Sequence, residues 1–336
     1  MPFVISVPTN TADRPRASDS FLNRSSRVII RAALLYNPCI MNRRAFIQNF
    51  LATAALTSLP ARALADTHQI PYVGLQLYTV RDEMKKDLSA TITRVATIGY
   101  KEVEFAGYFN HSPADIRAIL DKNRLTAPGC HVAYDVVQDH LQETIDAAHI
   151  IGHTYIVCPW IDEKLRKTPD GWKRVADFFN QVGANTKKAG IQFGYHNHTF
   201  EFVPDPNIGG KLPYDFLLEN TDKELVKMEM DLCWISVTGH DPVSYFTRYP
   251  GRFPLVHVKD VKEMPKVAPG KTDEFVDTNF EKKIMTEPGN GVIDWKRIFA
   301  HADQAGIQHY FVEHDSPADP FASITASYKY LSTLRF

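Results

Sequence analysis

From Tyr72 onward, short apolar runs alternate with stretches of helical period. The runs read as strands at 73–79, 101–106, 126–132, 153–159, 191–198, 225–232, 253–259 and 309–314. Short, continuous apolar runs are what parallel strands buried on both faces require. Helical patterns lie between them, near 85–98, 113–123, 138–151, 171–189, 213–220, 241–249, 294–305 and 319–333. Gly99, Gly190 and Gly306 follow three of these segments, where a glycine commonly closes the last turn. Ser112-Pro113 and Asp294 stand at helix starts. Eight β-α units in succession predict a closed (β/α)8 barrel, the TIM-barrel architecture of the α/β class, as one domain over residues 66–336. An open doubly wound sheet is the competing arrangement. It rarely needs eight regular units, and no G-x-G-x-x-G follows the first strand.

The apolar runs end in polar residues. Glu104 closes KEVEFAG, His131 closes APGCHVA, and His196 and His198 close IQFGYHNH. Asp231 closes VKMEMDL, His257, Lys259 and Asp260 close PLVHVKD, and Glu313 closes HYFVEHD. The C-terminal strand ends of such a barrel surround its active site. Six strands ending this way therefore predict one pocket lined by imidazoles and carboxylates. A divalent metal needs three or four ligands from different strands, and the best quartet is His196, Asp231, His257 and Glu313. Two imidazoles and two carboxylates suit one Mn²⁺, Co²⁺, Zn²⁺ or Fe²⁺ better than Ca²⁺.

Composition sharpens this in two places. The chain has 336 residues and a formal net charge of −1, but residues 1–65 hold eight arginines and two acids, leaving 30 bases against 37 acids in the remainder. An acidic body gives no electrostatic reason to bind nucleic acid or an anionic membrane. Met41-Asn42-Arg43-Arg44-Ala45-Phe46-Ile47 is a twin-arginine pattern, followed by an apolar stretch at 50–56 and an A-x-A cleavage signal at Ala63-Leu64-Ala65. We therefore expect residues 41–65 to be an export signal, too short for a stable membrane anchor, and the mature protein to be periplasmic. Residues 1–40 are expected to be an upstream extension, with Met41 the first residue. Cys130, Cys158 and Cys233 match no zinc or redox spacing and predict no structural disulfide. Residues 261–290, rich in Pro and Gly, form a long connection whose place after the seventh strand predicts a lid.

The segments YHNHTFEF (195–202), VKMEMDLCW (226–234), GHDPVSYFTRYPGRFPLVHVKD (239–260), GNGVIDW (289–295) and YFVEHD (310–315) resemble the sugar phosphate isomerase/epimerase family, the xylose-isomerase-like barrels. The resemblance spans nearly all of 70–336. It implies one divalent metal held by Asp231, His257 and Glu313, with His196 standing where the epimerases carry a metal-binding Glu. In those epimerases two glutamates trade the proton on opposite faces of the substrate, so His196 is a departure. The YHNH pattern is similar to that of inosose dehydratases and of lyases or hydratases acting on 3-keto-glycosides.

The chemistry implied is proton abstraction beside a metal-bound carbonyl, ending in isomerisation, epimerisation or elimination. Lys259 or Glu313 is the candidate to act on the proton. His131, His198 or Glu104 would assist a leaving group. Gln76, Tyr78, Trp160 and Trp234 are candidate sugar contacts. Against a catalytic Lys259 stands an ion pair with Asp260 or Glu229. The expected partner is a small, unphosphorylated carbohydrate, and a homo-oligomer remains open. A metal-dependent nuclease and a non-catalytic sugar-binding barrel are the readings from other classes. The acidic body and the short ligand list disfavour the first, and sugar binding without metal would identify the second.

Overall fold

The computed structural model describes residues 68–265 and 282–336. Eight parallel strands close a barrel, as the alternation predicts: β1 (Val73–Gln76), β2 (Glu102–Phe105), β3 (Thr126–His131), β4 (Tyr155–Cys158), β5 (Gln192–His196), β6 (Val226–Asp231), β7 (Leu255–Val258) and, after a small hairpin, β10 (His309–Val312). Each strand follows its sequence neighbour around the ring, and β10 pairs with both β7 and β1 to close it. No open sheet edge remains in this ring. The strands are one to three residues shorter than the apolar runs, and each run continues into the loop that leaves the barrel top.

The helices bury one stripe against this ring. Gly171–Lys188 buries Trp172, Val175, Phe179 and Val182, spaced three or four apart as an amphipathic helix requires. Phe179 lands on Phe193 and Tyr195 of β5, with ring centroids 5.2 and 5.3 Å apart. Ser112 caps Pro113–Asn123 through a reciprocal bond with Asp115, and Asp294 caps Trp295–Phe299. The pattern at 294–305 is broken into two short helices, Trp295–Phe299 and Ala302–Ala305. The pattern at 138–151 resolves into Tyr134–Asp139 and Leu141–Ile151.

Cys130, Cys158 and Cys233 are buried and unpaired. Among the described residues no helix is long and apolar enough to cross a membrane. The proposed upstream extension and export signal lie outside the described residues, as does the middle of the 261–290 connection. The ends of that connection form an antiparallel pair, β8 (Asp260–Val261) with β9 (Met285–Thr286). Asp260 ties it down by accepting from the backbone amides of Gly289 (3.2 Å) and Ile293 (3.2 Å) and from the Trp295 indole (2.8 Å). A side chain at Gly291 would collide with this carboxylate, which accounts physically for GNGVIDW.

Candidate active site

Successive strand residues alternate between the barrel interior and the helix layer. On β6 this puts Glu229 and Asp231 on the same side, one below the other, and on β2 it does so for Glu102 and Glu104. The predicted strand-end residues gather at the barrel top, but at two levels.

The upper level opens to a cavity of about 420 Å³ lined by Tyr78, Trp160, His198, Trp234, Lys259 and Glu313, with His131 and His196 in its wall. Asp231, His257 and Glu313 each offer a ligand atom within 4.8 Å of the others. His257 Nδ1 is 2.7 Å from Glu313 Oε2. His196 Nε2 lies 3.9 Å from Asp231 Oδ2, and the His196 and His257 ring centroids are 4.4 Å apart. The predicted quartet therefore shares one corner of the barrel, with His196 the outlying member. Asp231 is held by its place at the start of helix Leu232–Val237: its Oδ1 accepts from the amides of Cys233 (2.9 Å) and Trp234 (2.8 Å). That leaves Oδ2, which sits 3.0 Å from Lys259 Nζ but accepts no well-directed hydrogen bond.

Lys259 is buried among carboxylates. Its Nζ is 2.8 Å from Glu313 Oε2, 3.0 Å from Asp231 Oδ2 and 3.0 Å from Asp315 Oδ2. Neither ion-pair partner expected from sequence, Asp260 or Glu229, is among these. Asp260 is turned away to the hairpin, and Glu229 faces the histidines. Burial works against the ammonium, but Asp231, Asp315 and Glu313 outweigh it and hold the lysine well above its usual range. Glu313 is held correspondingly low: burial opposes its charge, and Lys259 and His257 restore it.

The lower level is wholly buried. Glu229 Oε2 is 2.6 Å from His131 Nε2 and 3.3 Å from both His196 Nδ1 and His257 Nε2. Glu104 Oε2 is 2.8 Å from His257 Nε2 and accepts from the Gln76 amide at 2.8 Å. His131, His196, Glu229 and His257 also place ligand atoms within 4.8 Å of one another. Two carboxylates this close cannot share a charge-free floor equally. Burial and repulsion from Glu229 push Glu104 up to about 7, while His257 and His131 overcome burial to keep Glu229 ionised, well below its usual range.

The imidazoles divide as well. Burial and His257 press His196 down to about 4, and burial and His196 press His198 well down. Burial also opposes charge on His131 and His257, but Glu104 and Glu229 raise His131, and Glu229 and Glu313 raise His257.

The structure thus separates candidates that the sequence treats alike. Tyr78, Trp160, His198 and Trp234 line the cavity, and Tyr78 (41% exposed) and Trp160 (42%) stand at its mouth as aromatic faces. Gln76 and Glu104 do not line it. Both are fully buried. The structure places them beneath the cavity instead of at its wall as a sugar contact and a leaving-group acid: Gln76 donates to Glu104, and Glu104 meets His257. Glu229 was missed as a site residue, because it sits inside an apolar run rather than at its end. The available signal was its two-residue spacing from Asp231. Glu201 was missed too: Tyr195 donates to it, it accepts from the His198 amide at 2.9 Å, and burial pushes it up to about 7. It anchors the turn that carries His198.

Comparisons with known proteins follow the same lines. A family model described as "Xylose isomerase-like TIM barrel" matches residues 92–333. An inosose dehydratase from Lacticaseibacillus casei is 24% identical over 264 residues, covering 71% of this chain and 87% of the relative. A crystal structure of a sugar phosphate isomerase/epimerase from Parabacteroides distasonis superposes with a TM-score of 0.63 at 25% identity, covering 79% of this chain and 95% of that one. The IOLI protein, crystallised with a bound zinc atom, shares the fold with a TM-score of 0.58 at 13% identity, over 77% of this chain and 95% of its own.

Proposed function

We propose, because this chain belongs to the xylose isomerase-like TIM barrel family, that it removes the proton beside the carbonyl of a keto-sugar and expels the substituent one carbon further on, as water or an alcohol. It is an enzyme of the sugar isomerase or lyase kind, and the choice of elimination is the proposal. The observation that carries this choice is an asymmetry across the cavity. Lys259 follows β7, four strands round the ring from β3, whose end is His131. One side of the cavity thus presents Glu313 with Lys259 and Asp315, and the other presents an imidazole. Two carboxylate bases facing each other, as stereochemical inversion at carbon would use, are not what lines it.

The residues fit one divalent metal. Asp231, His257 and Glu313 supply three donors, with His196 beside them, and Asp231 Oδ2 is buried without a well-directed partner. The lower carboxylates support this assignment: Glu229 and Glu104 face the ring nitrogens of His196 and His257 that point away from the set, the usual arrangement behind a metal-binding histidine. Bound there, the ion would polarise the substrate carbonyl and acidify the adjacent C–H.

The chain's own groups do the rest. Glu313 takes the proton, beside the Lys259 ammonium 2.8 Å away. The C–H pair becomes the new C=C bond, and the C–O bond beyond it breaks. His131, whose pKa Glu104 and Glu229 raise against the effect of burial, gives its proton to the departing oxygen. Tyr78 and Trp160 offer the sugar ring apolar faces at the mouth.

The test uses a keto-sugar deuterated beside its carbonyl. Turnover should lose that deuterium to solvent and release water or alcohol, seen by NMR and mass. Product that keeps the deuterium at that carbon rules out the proposal, and exchange with conserved mass redirects it to isomerisation.

Arg43-Arg44 and Ala63-Leu64-Ala65 support export as a folded protein to the periplasm. Changing both arginines to lysine should retain the precursor in the cytoplasm, and unchanged processing of that double variant would refute export by this route.

A further inference from the structure

Glu313, His314 and Asp315 leave the top of β10 one after another. Glu313 and Asp315 both line the sugar cavity. His314 between them does not: its Nδ1 is 3.0 Å from Ser323 Oγ of helix Pro320–Leu331, and its amide donates to Thr79 Oγ1 at 3.0 Å. The backbone that carries Asp315 is therefore fixed from behind. In front, Asp315 takes the Lys259 ammonium with both carboxylate oxygens, Oδ1 at 3.2 Å and Oδ2 at 3.0 Å. That ammonium also stands over the Trp234 ring, 5.1 Å from its centroid.

The three carboxylates around Lys259 are not equivalent. Asp231 and Glu313 belong to the proposed metal set. An ion held by them competes with the ammonium, because Asp231 Oδ1 is engaged by two amides and Oδ2 is the atom that Lys259 contacts. Asp315 stands outside that set. Its side chain is 13% exposed, against 6% for Glu313 and none for Asp231, so it is the one nearest water. Without Asp315 the buried ammonium would be balanced by the ligand carboxylates alone, since a buried charge left uncompensated is costly.

We infer that Asp315 is the positioning residue for Lys259: it holds the ammonium back from Asp231 and Glu313 and so leaves their oxygens to the metal. This rests on the metal assignment above and deepens it, by naming what keeps the site's own cation from competing for the ligands. An ammonium has three N–H donors, and three carboxylates surround them here. With Asp231 given to the ion, one N–H is left for a substrate oxygen in the cavity that Lys259 lines.

The experiment titrates the full protein with Co²⁺ alone, by calorimetry, as wild type, Asp315→Asn, Lys259→Met and the double variant. Asp315→Asn should weaken Co²⁺ binding about tenfold or more, the scale of a residue standing behind a metal ligand. In the Lys259→Met background no ammonium remains to be held, and the same change should cost only a small fraction of that. Lys259→Gln serves the same cycle should Lys259→Met not fold. Asp315→Glu, which keeps the charge, should recover most of the affinity. A carboxylate that merely supports the fold, or acts on the ion through its own charge, would lose the same factor in both backgrounds. Equal losses, or an Asp315→Asn protein that binds Co²⁺ as wild type does, overturn the assignment. Wild-type protein that binds none of Co²⁺, Mn²⁺ and Zn²⁺ overturns the metal assignment itself, and this role of Asp315 with it.

Discussion

At the N-terminal end of the barrel, Glu102 of β2 meets His309 of β10 at 2.9 Å, with side chains 11% and 17% exposed. Two residues further along the same strand, Glu104 meets His257 at 2.8 Å with neither side chain exposed. The pairs are alike in residue type and distance. Yet burial and Glu229 push Glu104 up to about 7, whereas Glu102 lies at the rim with His309 as its hydrogen-bond partner. The difference is the company each keeps. Glu104 shares a sealed space with a second carboxylate and two further imidazoles, so removing a charge from one group changes the cost of charge on all the others. Glu102 keeps a small exposed fraction and pairs with His309 alone among the hydrogen bonds of the described residues.

Room for the Glu104–His257 pair comes from the backbone. A Cβ at Gly129 of β3 would overlap Glu104 Oε1, so the glutamate fits under His257 only because its neighbouring strand carries no side chain there. Pairing of Gly129 with Glu104 in the sheet register brings the two together.

The largest effect should come from the top. Asp231→Ala is expected to lose metal and turnover together, by more than the roughly 10–100-fold typical of residues that stand behind a metal ligand, while keeping the barrel. Elemental analysis showing full occupancy in that variant would break the comparison at its upper end. Glu104→Gln should cost about 10–100-fold in metal affinity or activity, through His257 rather than through substrate contact. Its signature is a fall in metal affinity that restoring metal concentration partly rescues.

The same variant carries a pH signature in the metal-free protein. The Glu104 carboxyl keeps its proton up to about 7 in the fold but loses it near 4.3 in the unfolded chain. Its destabilising contribution is therefore absent below the unfolded value and complete above the folded one. Wild-type stability relative to Glu104→Gln should fall as pH rises through that window. A difference independent of pH, by denaturant titration, would mean that the carboxyl is ionised throughout. The smallest effect belongs to the lower end: Glu102→Gln should change stability by no more than about 1 kcal/mol and leave turnover as it was. A loss of activity there would mean that the two ends are coupled through the barrel core.

The order of strands and helices was legible in the sequence because both periods are local: two residues for a strand, 3.6 for a helix. The upper-level candidates Asp231, His257, Lys259 and Glu313 were legible for a related reason, since a polar residue closing an apolar run marks a strand end. The same rule misplaced Glu104, which closes such a run yet lies beneath the cavity, and passed over Glu229, which lies inside one. Depth within a barrel depends on strand tilt and on side chains arriving from other strands, such as the gap left by Gly129, and no window along the chain contains both partners. The two-residue strands β8 and β9 escaped for the same cause, held by Asp260 across a long connection rather than by any pattern of their own. By itself the sequence determined the ring and the chemical groups around its mouth. The tertiary structure decided which of them share a proton or a charge, because that depends on distances of a few ångströms between residues as much as 153 positions apart and on the exclusion of water that only the closed barrel provides.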